Sequence, residues 1–104
     1  MIRKIFILNK IFKKQKQLGQ QDYLKFREQA RKIITDKVEF FSKKYHFQYN
    51  RIAIKNTKTR WGSCSVKRNL NFNYRIIFLD EDLQNYIIIH ELCHLRQMNH
   101  SKEF

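Results

Sequence analysis

Apolar residues recur every three or four positions from Tyr23 to Tyr45. Tyr23, Phe26, Ala30, Ile33 and Ile34, Val38, Phe41 and Tyr45 fall on one stripe, and Lys, Arg and Glu fill the other face. That period predicts one long amphipathic helix over residues 22–45, with Asp22 as its N-cap and the aromatic stripe as core. Upstream, Ile2, Ile5, Leu8 and Ile11/Phe12 repeat at helical spacing, although Ile5 to Leu8 reads equally as a strand. Residues 13–21 are polar, rich in Gln and Lys around Gly19, and read as a linker. Residues 1–21 are therefore taken as a basic N-terminal segment and residues 22–104 as the core domain. Downstream, residues 51–56 predict a strand with Ile52 and Ile54 on one side. Leu70, Phe72 and Tyr74 alternate with Asn71, Asn73 and Arg75 before the pattern turns apolar, which predicts a second strand over residues 69–79. Gly62 marks a bend or bulge between the two. Asp80 offers an N-cap, and Glu81 and Asp82 complement the positive end of a helix over residues 82–98.

Length and charge narrow the picture. A chain of 104 residues forms one small domain at most. It carries 22 Lys+Arg against 9 Asp+Glu, a formal net charge of +13. Such a surface favours anionic partners, so weak, salt-sensitive association with polyanions such as nucleic acid is expected through the helix over residues 22–45 and the N-terminal segment. No stretch approaches the ~20 apolar residues of a membrane span. The basic, apolar start is interrupted by Asn9 and Lys10 and lacks a small-residue cleavage site, so a cytoplasmic location is expected. Cys64 and Cys93 do not make a disulfide framework.

The last helix carries His90-Glu91-Leu92-Cys93-His94, a His-Glu-x-x-His pattern. Residues four apart on a helix sit about 40° apart around the axis, one turn up, so His90 and His94 project together. They can place two imidazole nitrogens about 2 Å from one zinc ion. Glu91 need not ligate; it can reach a metal-associated water and act as general base. A catalytic zinc needs a third protein ligand. His100 follows His94 by six residues, the metzincin spacing, without the Gly usual in that motif; Asn99 can make the turn instead. Glu103 is the competing ligand, and His100 is preferred. Three of the four His fall within eleven residues, and the apolar run from Tyr86 to Ile89 suits a buried active-site helix. Cys93 is read as a buried filler rather than a ligand. Cys64 is not read as a nucleophile, and His46 is expected to be exposed in a polar turn.

The run from Lys58 to Phe104 resembles the catalytic core of the YgjP-type zincin metallopeptidases, relatives of the SprT/WLM metalloproteases. The matching elements are TRWGSCS, the Asn-rich NLNFNYR, the apolar run into HELCHL, and MNHS. The resemblance covers roughly residues 22–104. It implies His90, His94 and His100 as Zn2+ ligands and Glu91 as general acid/base. It implies an α+β fold: a minimal zincin-like domain of a long helix, a small mostly antiparallel sheet and an active-site helix. Family members carry more sequence on both sides, so a truncated member is expected here. TRWGSCS admits two roles. Arg60 to Ser65 can line the cleft and receive an extended substrate by strand addition. Alternatively Trp61 anchors the sheet to the helices, Gly62 makes the bend and Arg60 pairs with a carboxylate; this structural role is favoured for Trp61 and Gly62.

The leading function is therefore a zinc-dependent peptidase acting on a protein or peptide. One alternative keeps the metal and hydrolyses a nucleotide phosphoanhydride. Another is an inactive basic zinc-binding module associated with nucleic acid.

Overall fold

The computed structural model describes residues 2–15 and 20–99, with side chains described at 6–13 and 20–96. Helix α1 (Ile2–Gln15) leads to the long helix α2 (Gln20–Tyr45). Strands β1 (Arg51–Lys55), β2 (Gly62–Cys64) and β3 (Asn69–Asn73) follow, then a 3-10 helix (Tyr74–Phe78) and helix α3 (Glu81–Asn99). The α+β class is as the resemblance implied. The N-terminal segment settles as helix rather than strand. Helix α2 starts two residues before Asp22, so Asp22 sits in its first turn instead of capping it. Among the described residues no helix is long and apolar enough to cross a membrane.

The sheet is mixed rather than mostly antiparallel, and its order is β1-β3-β2. Strand β2 pairs antiparallel with β3 through a short turn, Gly62 opposite Phe72 and Cys64 opposite Leu70. Consecutive strands do run in opposite directions. However, β3 inserts between its two predecessors and so lies parallel to β1, Ile52 beside Leu70 and Ile54 beside Phe72. Alternation along the strands sends Ile54, Leu70 and Phe72 to the buried face. There they meet Ala30, Ile34 and Val38 of α2 and Ile88, Leu92 and Leu95 of α3 in one core. Arg51, Lys55, Asn69 and Asn71 occupy the opposite face.

The predicted strand over residues 69–79 stops at Asn73. The Asn73 side chain is buried and its Oδ1 accepts the Arg75 N–H at 3.0 Å, which turns the chain into the 3-10 helix. The apolar run that followed the alternation is thus a buried helical turn, with Tyr74 and Ile76 inside. Its C-terminal carbonyls are taken up by buried Gln84 of α3, whose Nε2 donates to Ile76 O at 3.1 Å and Leu79 O at 3.1 Å. Asp80 caps α3 as expected, its Oδ1 accepting the Leu83 N–H at 3.0 Å.

The far ends of α2 and α3 are also tied. His46 is exposed and left-handed (φ 60°), and the Phe47 N–H returns to Ser42 O at 3.0 Å, closing α2 with a Schellman turn. Arg96 of α3 donates to Tyr45 O at 2.9 Å and stacks its guanidinium 4.6 Å from the Phe47 ring centroid. Helix α3 is therefore held at its first turn by Asp80 and Gln84 and near its last by Arg96. That fixes the rotation at which its middle turns face β2.

Candidate metal centre

Those middle turns bring three of the expected site residues together. The ligand atoms of His90, Glu91 and His94 all lie within 4.8 Å of one another, and among the described residues theirs is the grouping that can hold a metal ion. His90 Nε2 and His94 Nε2 are 3.3 Å apart, with the rings nearly perpendicular. Two imidazole nitrogens each about 2.0–2.1 Å from one tetrahedral zinc ion lie about 3.3–3.4 Å apart. The pair thus has the spacing that shared ligation requires. An N–H···N hydrogen bond between the rings fits the same distance, so the neighbouring carboxylate carries the distinction. Two imidazole nitrogens suit zinc as ligands, and a carboxylate beside them suits the handling of a proton next to the metal. His100 and its competitor Glu103 lie outside the described residues.

The surroundings set the charge state of each group. His90 is exposed at its outer edge, yet partial loss of hydration pushes its pKa down and the neighbouring His94 adds to that, which favours the neutral, metal-binding form. Glu91 is buried, and burial pushes its carboxyl up, while His94 and Arg60 pull it back. A carboxyl raised in this way is a stronger base when ionised than one in water. The Cys64 thiol is raised by burial and further by Glu91, against a lowering by Arg68. It is therefore held as a thiol, in keeping with its exclusion as a nucleophile. Cys93 is exposed rather than buried, because its position falls on the side of α3 turned away from the core, and it is not part of the metal grouping.

The TRWGSCS segment builds the wall facing Glu91. Trp61 is buried against Phe12 of α1, ring centroids 4.8 Å apart, which bears out its anchoring role. The Arg60 side chain is exposed and makes no ion pair among the described residues; its charge reaches Glu91 through space instead. The bend falls one residue earlier, at Trp61; Gly62 is already the first residue of β2, and its φ is not positive. What it supplies is closeness. A Cβ there would lie 3.0 Å from Asn71 O, 3.1 Å from Glu91 Cγ and 3.3 Å from Phe72 Cδ1. Glu91 therefore rests directly on the β2 backbone. Gly62→Ala is expected to destabilise the fold by about 1–3 kcal/mol through overpacking. Urea denaturation checks this, and an unchanged midpoint would show that Glu91 has room to retreat.

Sequence reasoning missed the residues that position this centre, Gln84 and Arg96, and the contribution of α1. A cleft of about 250 Å³ opens beside the centre; Trp61, Gly62, His90 and Glu91 line it from the core, and Leu8 and Asn9 from α1.

Compared with known proteins, the chain matches one family description, YgjP-like, metallopeptidase domain, over residues 7–104. No curated protein and no solved structure matched.

Proposed function

Because the chain belongs to the YgjP-like metallopeptidase family, we propose that it hydrolyses peptide bonds with one zinc ion held by His90, His94 and His100. Glu91 acts as the general base. The observation that carries this reading is the 3.3 Å separation of the two histidine Nε2 atoms beside a buried carboxylate. Bound zinc contributes Lewis acidity, which polarises the scissile carbonyl and makes water easier to deprotonate at neutral pH. His90 and His94, fixed one turn apart on α3, hold that acid in place. Glu91 takes the proton from the attacking water and delivers it to the leaving amine. The close contact of Glu91 with β2 at Gly62 would steady the carboxylate for that transfer.

Strand β2 also supports the strand-addition role of its segment. It is an edge strand. Trp61 O accepts from Asn73 N–H at 2.8 Å and the Ser65 N–H donates to Asn69 O at 3.0 Å, both toward β3. By the alternation of an antiparallel ladder, the Gly62 and Cys64 amides face the open edge, where an extended peptide can pair.

The test is metal content followed by hydrolysis. The purified chain is expected to hold one zinc, and His94→Ala and His100→Ala are each expected to retain it at least about tenfold more weakly. Unchanged zinc in His100→Ala would hand the third position to Glu103. Cleavage of a mixed peptide library should disappear on chelation and return with zinc. A zinc-loaded chain that splits nucleoside triphosphates and no peptide would replace this reading with the phosphoanhydride one.

A further inference from the structure

The cleft beside the metal centre has a chemistry of its own. Apart from His90 and Glu91, its walls are Leu8, Trp61, Gly62, Tyr86 and Ile87, with Asn9 at α1; no Lys or Arg side chain lines it among the described residues. Leu8 is buried although the next residue, Asn9, is exposed, so α1 turns Leu8 inward as part of the wall. Phe12, one helical turn on, is pinned against Trp61 and fixes that orientation.

The volume decides what fits. A cavity of about 150 Å³ lined by apolar side chains binds benzene, and this cleft measures about 250 Å³. A leucine- or phenylalanine-sized group is accommodated, with its backbone at the reacting atoms because His90 and Glu91 share the same cleft. An ammonium group seated among Leu8, Trp61 and Ile87 would lose its water, and the Glu91 carboxylate, the one acidic group lining the cleft, is taken up by the proton transfer of the reaction. A carboxylate would in addition face Glu91. We infer that the Leu8–Trp61–Tyr86–Ile87 cleft is a specificity pocket selecting a bulky apolar side chain next to the scissile bond, with α1 supplying one wall. This rests on the metallopeptidase reading above and adds to it the class of substrate residue and a function for α1.

Hydroxamates of graded side chain separate the two claims, because each carries the same metal-binding head. On the zinc-loaded full chain, calorimetry would compare acetohydroxamate, 4-methylpentanohydroxamate, 3-phenylpropanohydroxamate and 6-aminohexanohydroxamate. The two bulky apolar probes are expected to bind at least about tenfold tighter than the acetyl and amino probes, the scale of a few buried methylenes. Leu8→Asp should erase that preference. Leu8→Phe, which fills the pocket while staying apolar, should weaken the phenyl probe most. Acetohydroxamate, too small to reach Leu8, should bind both variants as it binds the parent. Equal affinities for all four probes on the parent chain, or a preference that survives Leu8→Asp, would overturn the pocket and leave the metal centre standing. Failure of every probe to bind, acetohydroxamate included, would overturn both.

Discussion

Replacing Glu91 by Gln is expected to slow peptide hydrolysis by the zinc-loaded chain by about 10²-fold or more, the scale of losing a general base. Zinc content and stability should stay close to those of the parent. The amide preserves the volume that rests against Gly62, where the Glu91 Cγ already sits 3.1 Å from the place a Cβ would take. It removes the group that accepts the proton. Burial raises the Glu91 carboxyl, so the neutral amide also costs less to bury than the ion it replaces. Steady-state rates and metal analysis on the same preparation read both halves of the expectation. A variant that cleaves as well as the parent would remove Glu91 from the chemistry. A variant that loses its zinc would make Glu91 a ligand and reopen the assignment of His100.

The second large effect lies away from the metal. Asn73→Ala is expected to cost about 3 kcal/mol, a factor of about 150 in the folding equilibrium, because several buried partners lose their hydrogen bonds at once. Asn73 Nδ2 donates to Thr57 O at 2.7 Å and to Arg60 O at 3.1 Å. Its Oδ1 accepts from the Arg75 N–H at 3.0 Å and from Arg75 Nη1 at 3.3 Å. Arg75, itself fully buried, donates to Asn56 Oδ1 at 3.1 Å and Thr57 O at 3.0 Å. Together the two side chains hold the loop that carries the chain from β1 to β2 across the end of β3. Asn71→Ala is the control: two residues earlier on the same strand, half-buried, with one bond to Ser63 Oγ at 3.2 Å. It should cost under about 1 kcal/mol. Urea denaturation of both variants decides the matter, and equal losses would show that the loop clamp adds nothing.

That contrast also marks how far the sequence could be read. The alternation through Leu70, Phe72 and Tyr74 made Asn69, Asn71 and Asn73 look alike, yet the first two lie on the open face and the third is a buried junction. A period of two states which side a residue takes, not where the strand ends. An apolar run such as residues 76–79 suits a buried strand and a buried helical turn equally. The long helix and the Asp80 cap were legible because they depend on neighbours within a few residues. So was the approach of His90 and His94, which follows from helical spacing alone. The mixed sheet was not, since a five-residue strand carries no mark of its partner's direction. Gly62 was legible as a special position but misread, because closeness to Glu91 is a tertiary fact. The inward turn of Leu8 escaped for the same reason: its stripe predicted a docked face without naming what it docks on.

The insertion of β3 between β1 and β2 constrains the order in which the molecule can be assembled. Strands cannot be added to this sheet in the order they leave the ribosome. Until Asn73 has emerged, β1 has no strand to complete its ladder, although α2 is already there to receive Ile54. The hairpin of β2 and β3 closes over a few residues and is the cheap early step; the pairing of β3 with β1, 18 positions away in register, bears the larger loop-closure entropy. The helix that carries the two histidines follows both in sequence. Synthesis therefore has to reach Asn73 before the sheet can form and Glu91 before the seat built on it is filled, and until then the unpaired edge of β1 is the segment most open to mispairing.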